Sequence, residues 1–494
     1  MLRDSYAYDA QFDSLLGNLG LEMEPELQQI DALLEDECLY QSVRAQMSQR
    51  HPHTLETGRP STPVEVVLRM LILKHLFGWT YRQTEWHVKD SLVLRRFCRI
   101  YFEEVPDFSV LNRWARQLSP ESLASLNRRV IELATELRLT RGRKLRTDGT
   151  VVATNIAHPS DSKLLSDGVR VLGRALGRAK AWLVAHQEQV CQETREMLRS
   201  GKDWFRNRSR SARAQARQIA DLARRKGQTS KAALEGAYQR LVRIAESSVQ
   251  QSQQVLETLR QEVDRLSASE KDSKKVAPIQ RVLANLETFL PRVQQVIQQT
   301  VARVFEKKVV PAKQKLVSLF EAHTDIICRG KAGKEVEFGR KVWLDEVEGG
   351  LVTQWRILEG NPPDDQQFQP AIEAHIEQFG KPPHQVSADR GVYSPENEDY
   401  ARQKGIPNVV LPKPGPKDAK RREHESRSWF KKGRRYHAGV EGRISVLKRR
   451  HRLDRCLDHG EAGMERWVGW GVIAANLAVM GRRLAARNLQ EAQA

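Results

Sequence analysis

Hydrophobic residues recur three and four positions apart through most of the first 138 residues, and that period predicts helices. The stretch "PELQQIDALLEDECLYQSVRAQM" places short helices within residues 12–49. After a break at 51–60, "RPSTPVEVVLRMLILKHLFGWTYRQTEWHVKDSLVLRRFCRI" predicts a helix with Pro63 in its first turn and Ser61 or Thr62 as cap. Gly78 interrupts it and Thr80 starts another. "DFSVLNRWARQLSPESLASLNRRVIELATEL" extends the pattern to about 138. Such helices suit DNA binding, with "GWTYRQTEWHV" as the step into a recognition helix, or serve as plain scaffolding.

From about 164 to 322 the period is helical almost without interruption. Val242, Val249, Leu256 and Val263 repeat every seven residues, with Ala245, Ser252, Leu259 and Leu266 three positions on, an a/d stripe weakened by Ser252. After Pro278 a second stripe, Val282, Leu286, Phe289, Val293 and Val296, is expected to fold back antiparallel on the first. The arginine-rich run at 206–227 supplies much of the positive charge here. A separate arm, a dimerisation element and a DNA-facing paddle all fit this block.

Strand-like alternation then appears in "KEVEFGRKVWLDEV", "GLVTQWRILEG", "HQVSAD" and "IPNVVLPK", and earlier in "KLRTDGTVV". Helices are expected at "DDQQFQPAIEAHIEQFG", at "SPENEDYARQKG" and over about 434–452. The order is strand, helical insertion, then further strands and helices, which predicts a mixed sheet covered by helices. In such a sheet, acids near the ends of neighbouring strands converge although they lie far apart in sequence.

Composition adds a partner. The chain of 494 residues carries 81 basic and 62 acidic side chains, a formal charge of +19, which favours a polyanion. Residues 1–48 hold ten acids against Arg3 and Arg44, whereas 412–455 hold sixteen Lys or Arg against five acids, so the basic C-terminal third is the expected nucleic-acid face. The five cysteines are scattered without CxxC spacing, so neither a zinc module nor a disulfide framework is indicated and a reducing compartment fits. The first residues show no apolar signal-peptide core, and "WVGWGVIAANLAVMGRRLA" is too short a run to span a bilayer and reads as a buried helix.

Candidate chemistry rests on three acids. Asp148 lies in "RGRKLRTDGTVVATNI", where a strand meets a Gly-Thr pair, and Asp389 closes "HQVSAD" before a loop. Paired carboxylates on strands in a basic chain are candidates to share divalent ions with hard oxygen donors. In "RRYHAGVEGRISVLKRRHRL", Val440, Ile444, Leu447 and His451 share one helical face. Glu441 and Lys448 sit two turns apart on a neighbouring one, spaced for a metal ligand and a phosphate contact.

These pieces resemble the insertion-sequence DDE transposases with an RNase H-like catalytic domain, from "GRPSTPVEVVLRMLILKHLFG" near 58 to the final helix near 487. The motifs that carry the resemblance are "LRTDGTVVATNI", "VSADRGVYSPEN" and "VEGRISVLKRR". It implies that Asp148, Asp389 and Glu441 are the catalytic residues and metal ligands, holding two Mg2+ ions that Mn2+ can replace. Lys448, with Arg443, Arg449, Arg450 and Arg452, would bind DNA. The family's Tyr-Arg-Glu-Lys signature keeps Glu441 and Lys448 in phase but has Arg434 at the Tyr position and His437 at the Arg position. The expected architecture is α/β: an acidic helical N-terminal arm at 1–57, a helical DNA-binding domain at 58–140, and the first strand of an RNase H-like mixed sheet at 141–163. A long all-α insertion follows at 164–330, then the rest of the catalytic domain at 331–455 and a buried helix with a tail at 456–494.

The implied activity is metal-dependent cleavage of double-stranded DNA at element ends and 3′-OH strand transfer into target DNA. A dimer in the DNA complex and a cytoplasmic, nucleoid-associated location go with it. The alternatives are an RNase H-like nuclease without strand transfer and an inactive transposase-derived DNA-binding protein.

Rival motifs fall away. "GKAGKEVEFG" lacks the Walker spacing and its Ser/Thr. His51, His53, His75 and His87 have no metal-ligand spacing. His437 is expected to face solvent or take a hydrogen bond. Asp161 and Asp167 read as helix caps, and Trp467 and Trp470 as core anchors.

Overall fold

In the computed structural model, residues 1–494 are described except 51, 201–203, 226–227, 268–272, 332–333 and 494, with the backbone alone at 228–230, 273–275, 329–331 and 334–335. His51 and the end of the arginine-rich run at 226–227 therefore lie outside the described residues. The chain divides into two compact units, Met1–Asn155 with Ile327–Ala494, and Ile156–Ile326.

The first unit is mixed α/β. Its strands are β1 (Lys144–Thr154), β2 (Asp325–Lys331), β3 (Lys334–Val347), β4 (Leu351–Leu358), β5 (Gln385–Ser387), β6 (Asn408–Val410) and β7 (Arg455–Cys456). They form one sheet in the order β2-β3-β1-β5-β6, with β4 also on β3 and β7 also on β1. β1 pairs antiparallel with β3 from Leu145↔Val347 to Ala153↔Gly339. Its other edge takes β5 in parallel at Lys144–Arg146 and β7 in parallel at Ala153 and Thr154. Among the described residues no strand pairs with residues 147–152 on that edge, and the gap positions the site described below. β2 and β7 were not foreseen from the sequence.

Strand alternation sorts the two faces of the sheet. Leu145 and Trp343 meet Phe368, Ile372, Val386 and Ala401 on one face, under the helices Phe368–Phe379 and Pro395–Gln403. Val152, Val342 and Leu344 meet Leu447, Met464, Trp467 and Val468 on the other, under the helices Ser428–Arg450 and Glu461–Gln493. Burial of apolar surface in these two layers stabilises the sheet, at about 25 cal/mol per Å² removed from water. Trp467 and Trp470 are buried, as expected of core anchors.

Among the described residues eight helices precede β1, from Ala10–Asn18 to Pro120–Glu136, and many of them share one core with Trp470, Ile473 and Leu477 of the terminal helix. The acidic N-terminal stretch is folded into this core. Ile30 is buried, and Asp31 meets the buried Arg69 at 2.5 Å and Arg99 at 3.0 Å. The helix Val64–Leu76 starts one residue later than expected, with Pro63 at its N-cap and no side-chain cap, so Ser61 and Thr62 do not serve as one. Gly78 turns the chain at φ +66, and Tyr81–Asp90 opens with a reciprocal Thr80–Gln83 capping box. Among the described residues no helix is long and apolar enough to cross a membrane.

The second unit is built of the helices Asp161–Ala185, Gln192–Arg199, Ser209–Arg224, Gln228–Ser267 and Ser273–Val304. The heptad positions Val242, Ala245, Val249, Leu256, Leu259, Val263 and Leu266 are all buried, and so is Ser252. The two long helices run antiparallel, because Arg260 pairs with Glu287 while Glu235 pairs with Lys307. Two expectations fail here. Pro278 lies inside the second helix rather than before it, where its missing N–H removes one intrahelical bond. Regular helix ends at Val304, where the apolar period lapses ahead of Pro311, leaving one 3-10 turn at Ala312–Gln314.

Candidate active site

β1 does not end at the Gly-Thr pair; it runs on to Thr154, so Asp148 sits within the strand. The register explains its direction. Asp148 lies opposite Leu344, on the sheet face covered by the helix Ser428–Arg450. Its Oδ1 accepts a hydrogen bond from Gly149 N at 2.7 Å. Gly149 packs closely there, since a Cβ would meet the Trp343 ring at 3.2 Å.

The β1–β5 ladder ends at Arg146↔Ser387. Asp148 and Asp389 each lie two residues beyond that pair, level with one another on neighbouring parallel chains that stand about 5 Å apart where they are paired. Asp389 caps the 3-10 turn Arg390–Val392, its Oδ1 accepting from Arg390 N at 2.6 Å. The turn leads the chain away from β1 and leaves the carboxylate exposed.

Glu441 and Lys448 lie on one unbroken helix, Ser428–Arg450, docked through the buried Phe430, Gly433, Val440 and Leu447. Gly433 gives close approach to β6, because a Cβ would stand 2.5 Å from Val410 Cγ2. An ionic cluster then fixes the helix on the sheet. Arg146 meets the fully buried Glu346 at 2.7 Å, Arg443 reaches the same carboxylate at 3.4 Å, and the Arg146 guanidinium lies 4.7 Å from the Tyr436 ring centroid. Burial raises the Tyr436 phenol, keeping it protonated.

Asp148, Asp389, Glu441 and Lys448 line a single cleft of about 770 Å³. Thr150, Cys328, Lys341, Asp364 and Ser445 also line it. Lys341 is held by Asp364 at 2.6 Å and by the Pro362 carbonyl at 2.6 Å. Among the described residues no three His, Cys, Asp or Glu side chains are gathered tightly enough to enclose one ion. The acids thus share a cleft without closing on a common point. Their chemistry fits a hard divalent cation, since they offer carboxylate oxygens and the cleft wall leaves room for water or phosphate oxygens.

Residues 20–117 match the family described as "Transposase domain (DUF772)". That match supports a transposase family. A similar protein is "Uncharacterized protein ORF8 in nfe locus" of Rhizobium meliloti, 27% identical over 123 residues, which are 24% of this chain. The chain covers 59% of that relative's length. No solved structure matches the chain.

The basic residues singled out from the sequence separate on the structure. Lys448 lines the cleft, whereas Arg443 is turned inward to Glu346 and is not presented for a ligand. Arg449 donates to Ser445 Oγ at 2.9 Å, and Arg450 and Arg452 are exposed. His437 is half-buried and makes a hydrogen bond with the Ser387 backbone, one of the two roles expected of it. Burial lowers its pKa against the opposing pull of the Asp389 and Glu441 charges.

Arg146, Glu346 and Lys341 were missed in the sequence. Arg146 and Glu346 stand 200 residues apart, so only the β1–β3 register reveals their pairing. A buried neighbour, Asp345, accepts from Thr147 Oγ1 at 2.6 Å, and burial raises its pKa. Thr147 alternates with Asp148, which places the Thr147–Asp345 pair on the sheet face away from the cleft.

Proposed function

We propose that this chain is a DDE-type DNA transposase with an RNase H-like catalytic domain, cutting DNA at element ends and joining the freed 3′-OH to target DNA. The observation that carries this reading is the cleft shared by Asp148 and Asp389, from neighbouring strands, and by Glu441 and Lys448, from one helix. The match of residues 20–117 to a transposase domain supports it independently. So does the sheet, whose central β1 has an antiparallel neighbour on one edge and parallel neighbours on the other.

Asp148, Asp389 and Glu441 would hold the divalent ions, Mg2+ or Mn2+. Bound there, such ions supply charge neutralisation on the phosphate and activation of the attacking oxygen. Lys448 presents an ammonium two helical turns from Glu441, where it contacts a nonbridging phosphate oxygen of the strand to be cut. His437, kept neutral by burial, adds no charge between Asp389 and Glu441. Arg146 and Glu346 position the helix and do not touch substrate.

In the first step a water oxygen bonds to phosphorus, the P–O3′ bond breaks, and the proton leaves on the 3′ oxygen. In the second, that 3′-OH attacks a target phosphodiester, whose own P–O3′ bond breaks. Double-stranded DNA is the partner, two copies of the chain are expected to bring two ends together, and the nucleoid is the expected location.

Replacing Asp148, Asp389 or Glu441 by Ala should leave end-DNA binding intact and abolish Mg2+-dependent cleavage. Retained cleavage removes that residue from the site. Precut ends offered to target DNA separate a transposase from a nuclease, because joining must occur without prior hydrolysis.

A further inference from the structure

A second cleft, of about 560 Å³, lies between the turn from Lys74 to Tyr81 and the region Leu457–Trp467. Its least exposed cation is Lys74, only 3% accessible. The ammonium stands 4.5 Å from the Tyr81 ring centroid, 4.9 Å from that of Trp467 and 3.2 Å from His75 Nε2. His75 is buried and held well below its ordinary pKa, so it offers a neutral acceptor and no counter-charge.

Among the described residues no carboxylate forms an ion pair with Lys74. Asp458 lines the cleft and attracts it from beyond ion-pair distance, while Arg452 repels it. Burial pulls the ammonium down to about 8. Ring faces offset part of the cost of burying a cation, and a bound anion would offset more of it.

Three further features of the cleft point to an anion. Arg116 and Arg466 stand on its wall, so three strong cations face one acid. Thr80 and Tyr81 bring to it the N-terminus of a ten-residue helix, whose partial positive charge favours oxyanions although the capping box already takes the Thr80 and Gln83 N–H groups. Asn112 adds a neutral donor. Trp79, Tyr81 and Trp467 exclude water from the same wall, which strengthens each of these attractions.

We propose that this cleft is a phosphate-binding site, distinct from the three-acid cleft, in which Lys74, Arg116 and Arg466 take a backbone phosphate of the bound DNA. The choice of DNA as the source of the phosphate rests on the function proposed above; the cleft's preference for an oxyanion does not. Phosphate contacts of this kind fix the register of a protein on a duplex without reading its sequence.

The test uses the full chain and a labelled duplex, titrated over a range of salt concentrations. Lys74→Met keeps length and removes a buried charge, so its melting temperature should not fall. Its duplex affinity should drop about tenfold, and the slope of log affinity against log salt should shrink by about 0.9, the value for one lost phosphate contact. Arg116→Ala, on an exposed side chain, should give a loss in the same direction without touching the core.

A second arm adds inorganic phosphate alone. A phosphate-dependent rise in melting temperature that Lys74→Met abolishes, with duplex affinity unchanged, makes free phosphate the occupant and removes DNA. Unchanged affinity and slope in both variants, with no phosphate effect, overturn the site altogether. If Asp148→Ala still abolishes cleavage in that case, the three-acid reading stands and only this inference falls.

Discussion

Glu346 holds Arg146 at 2.7 Å across the β1–β3 ladder and Arg443 at 3.4 Å from the helix that carries Glu441. One buried carboxylate thereby ties the strand of Asp148 to the helix of Glu441. Replacing Glu346 by Gln leaves two partly buried guanidinium groups without their counter-charge. Breaking a buried pair in this way costs about 3–5 kcal/mol. Urea unfolding should show a loss of that size, and cleavage should fall even where the variant remains folded. A midpoint unchanged from wild type would remove Glu346 as the tie.

Asn substitutions test the acids more finely than Ala. An Asn at 148 or 389 still accepts the backbone N–H of Gly149 or Arg390, so the local turn is kept while the anionic oxygen is lost. Mg2+-dependent cleavage by Asp148→Asn and by Asp389→Asn should drop by more than about a hundredfold, the upper end for residues that merely support a metal ligand. Melting temperatures should stay near wild type. A smaller loss in cleavage would demote either residue to a supporting role.

Gly433 sets how closely the Glu441 helix approaches β6. In Gly433→Ala the new methyl meets the branched, stiff Val410 side chain at 2.5 Å, so the helix must shift. Destabilisation of roughly 1–3 kcal/mol is expected from overpacking, with reduced cleavage. Val410→Ala in the same chain should restore both in part. A double variant no better than the sum of the two single changes would show that the close contact does not govern helix position.

Stability should fall on mild acidification. Burial lowers His375 and His451 to about 4 from 6.5, so both stay neutral in the folded chain while the unfolded chain takes up protons. The unfolded state therefore gains stability as pH falls from about 6.5 toward 4, at up to about 1.4 kcal/mol per pH unit for each histidine. Urea midpoints at pH 7 and pH 5 should differ accordingly, and His451→Gln, whose wild-type ring contacts the His75 carbonyl through Nδ1 at 3.2 Å, should flatten the slope. Equal midpoints at the two pH values would refute the assignment.

Much of this arrangement was legible in the chain. The alternation in "KEVEFGRKVWLDEV" marked β3 to the residue, and Val440, Ile444 and Leu447 marked the buried side of the Glu441 helix. Local period carries such information because each residue's environment repeats with the backbone. β7 escaped because two residues cannot display a period, and its pairing depends on where β1 leaves an open edge. Arg443 was misread for the opposite reason. Its neighbours are basic, but its partner Glu346 is supplied by a distant strand, so no local pattern could show that the side chain turns inward.

The long excursion between β1 and β3 also dictates an order of assembly. The strand carrying Asp148 leaves the ribosome well before its antiparallel neighbour exists, and the residues between them include Ile156–Ile326, a compact unit with its own core. An intervening segment that condenses by itself shortens the free chain that β1–β3 pairing must close. Maturation of the cleft is therefore a late event, completed only when the last helices arrive to cover the sheet, and a nascent chain released before residue 441 carries two of the three acids of the proposed site.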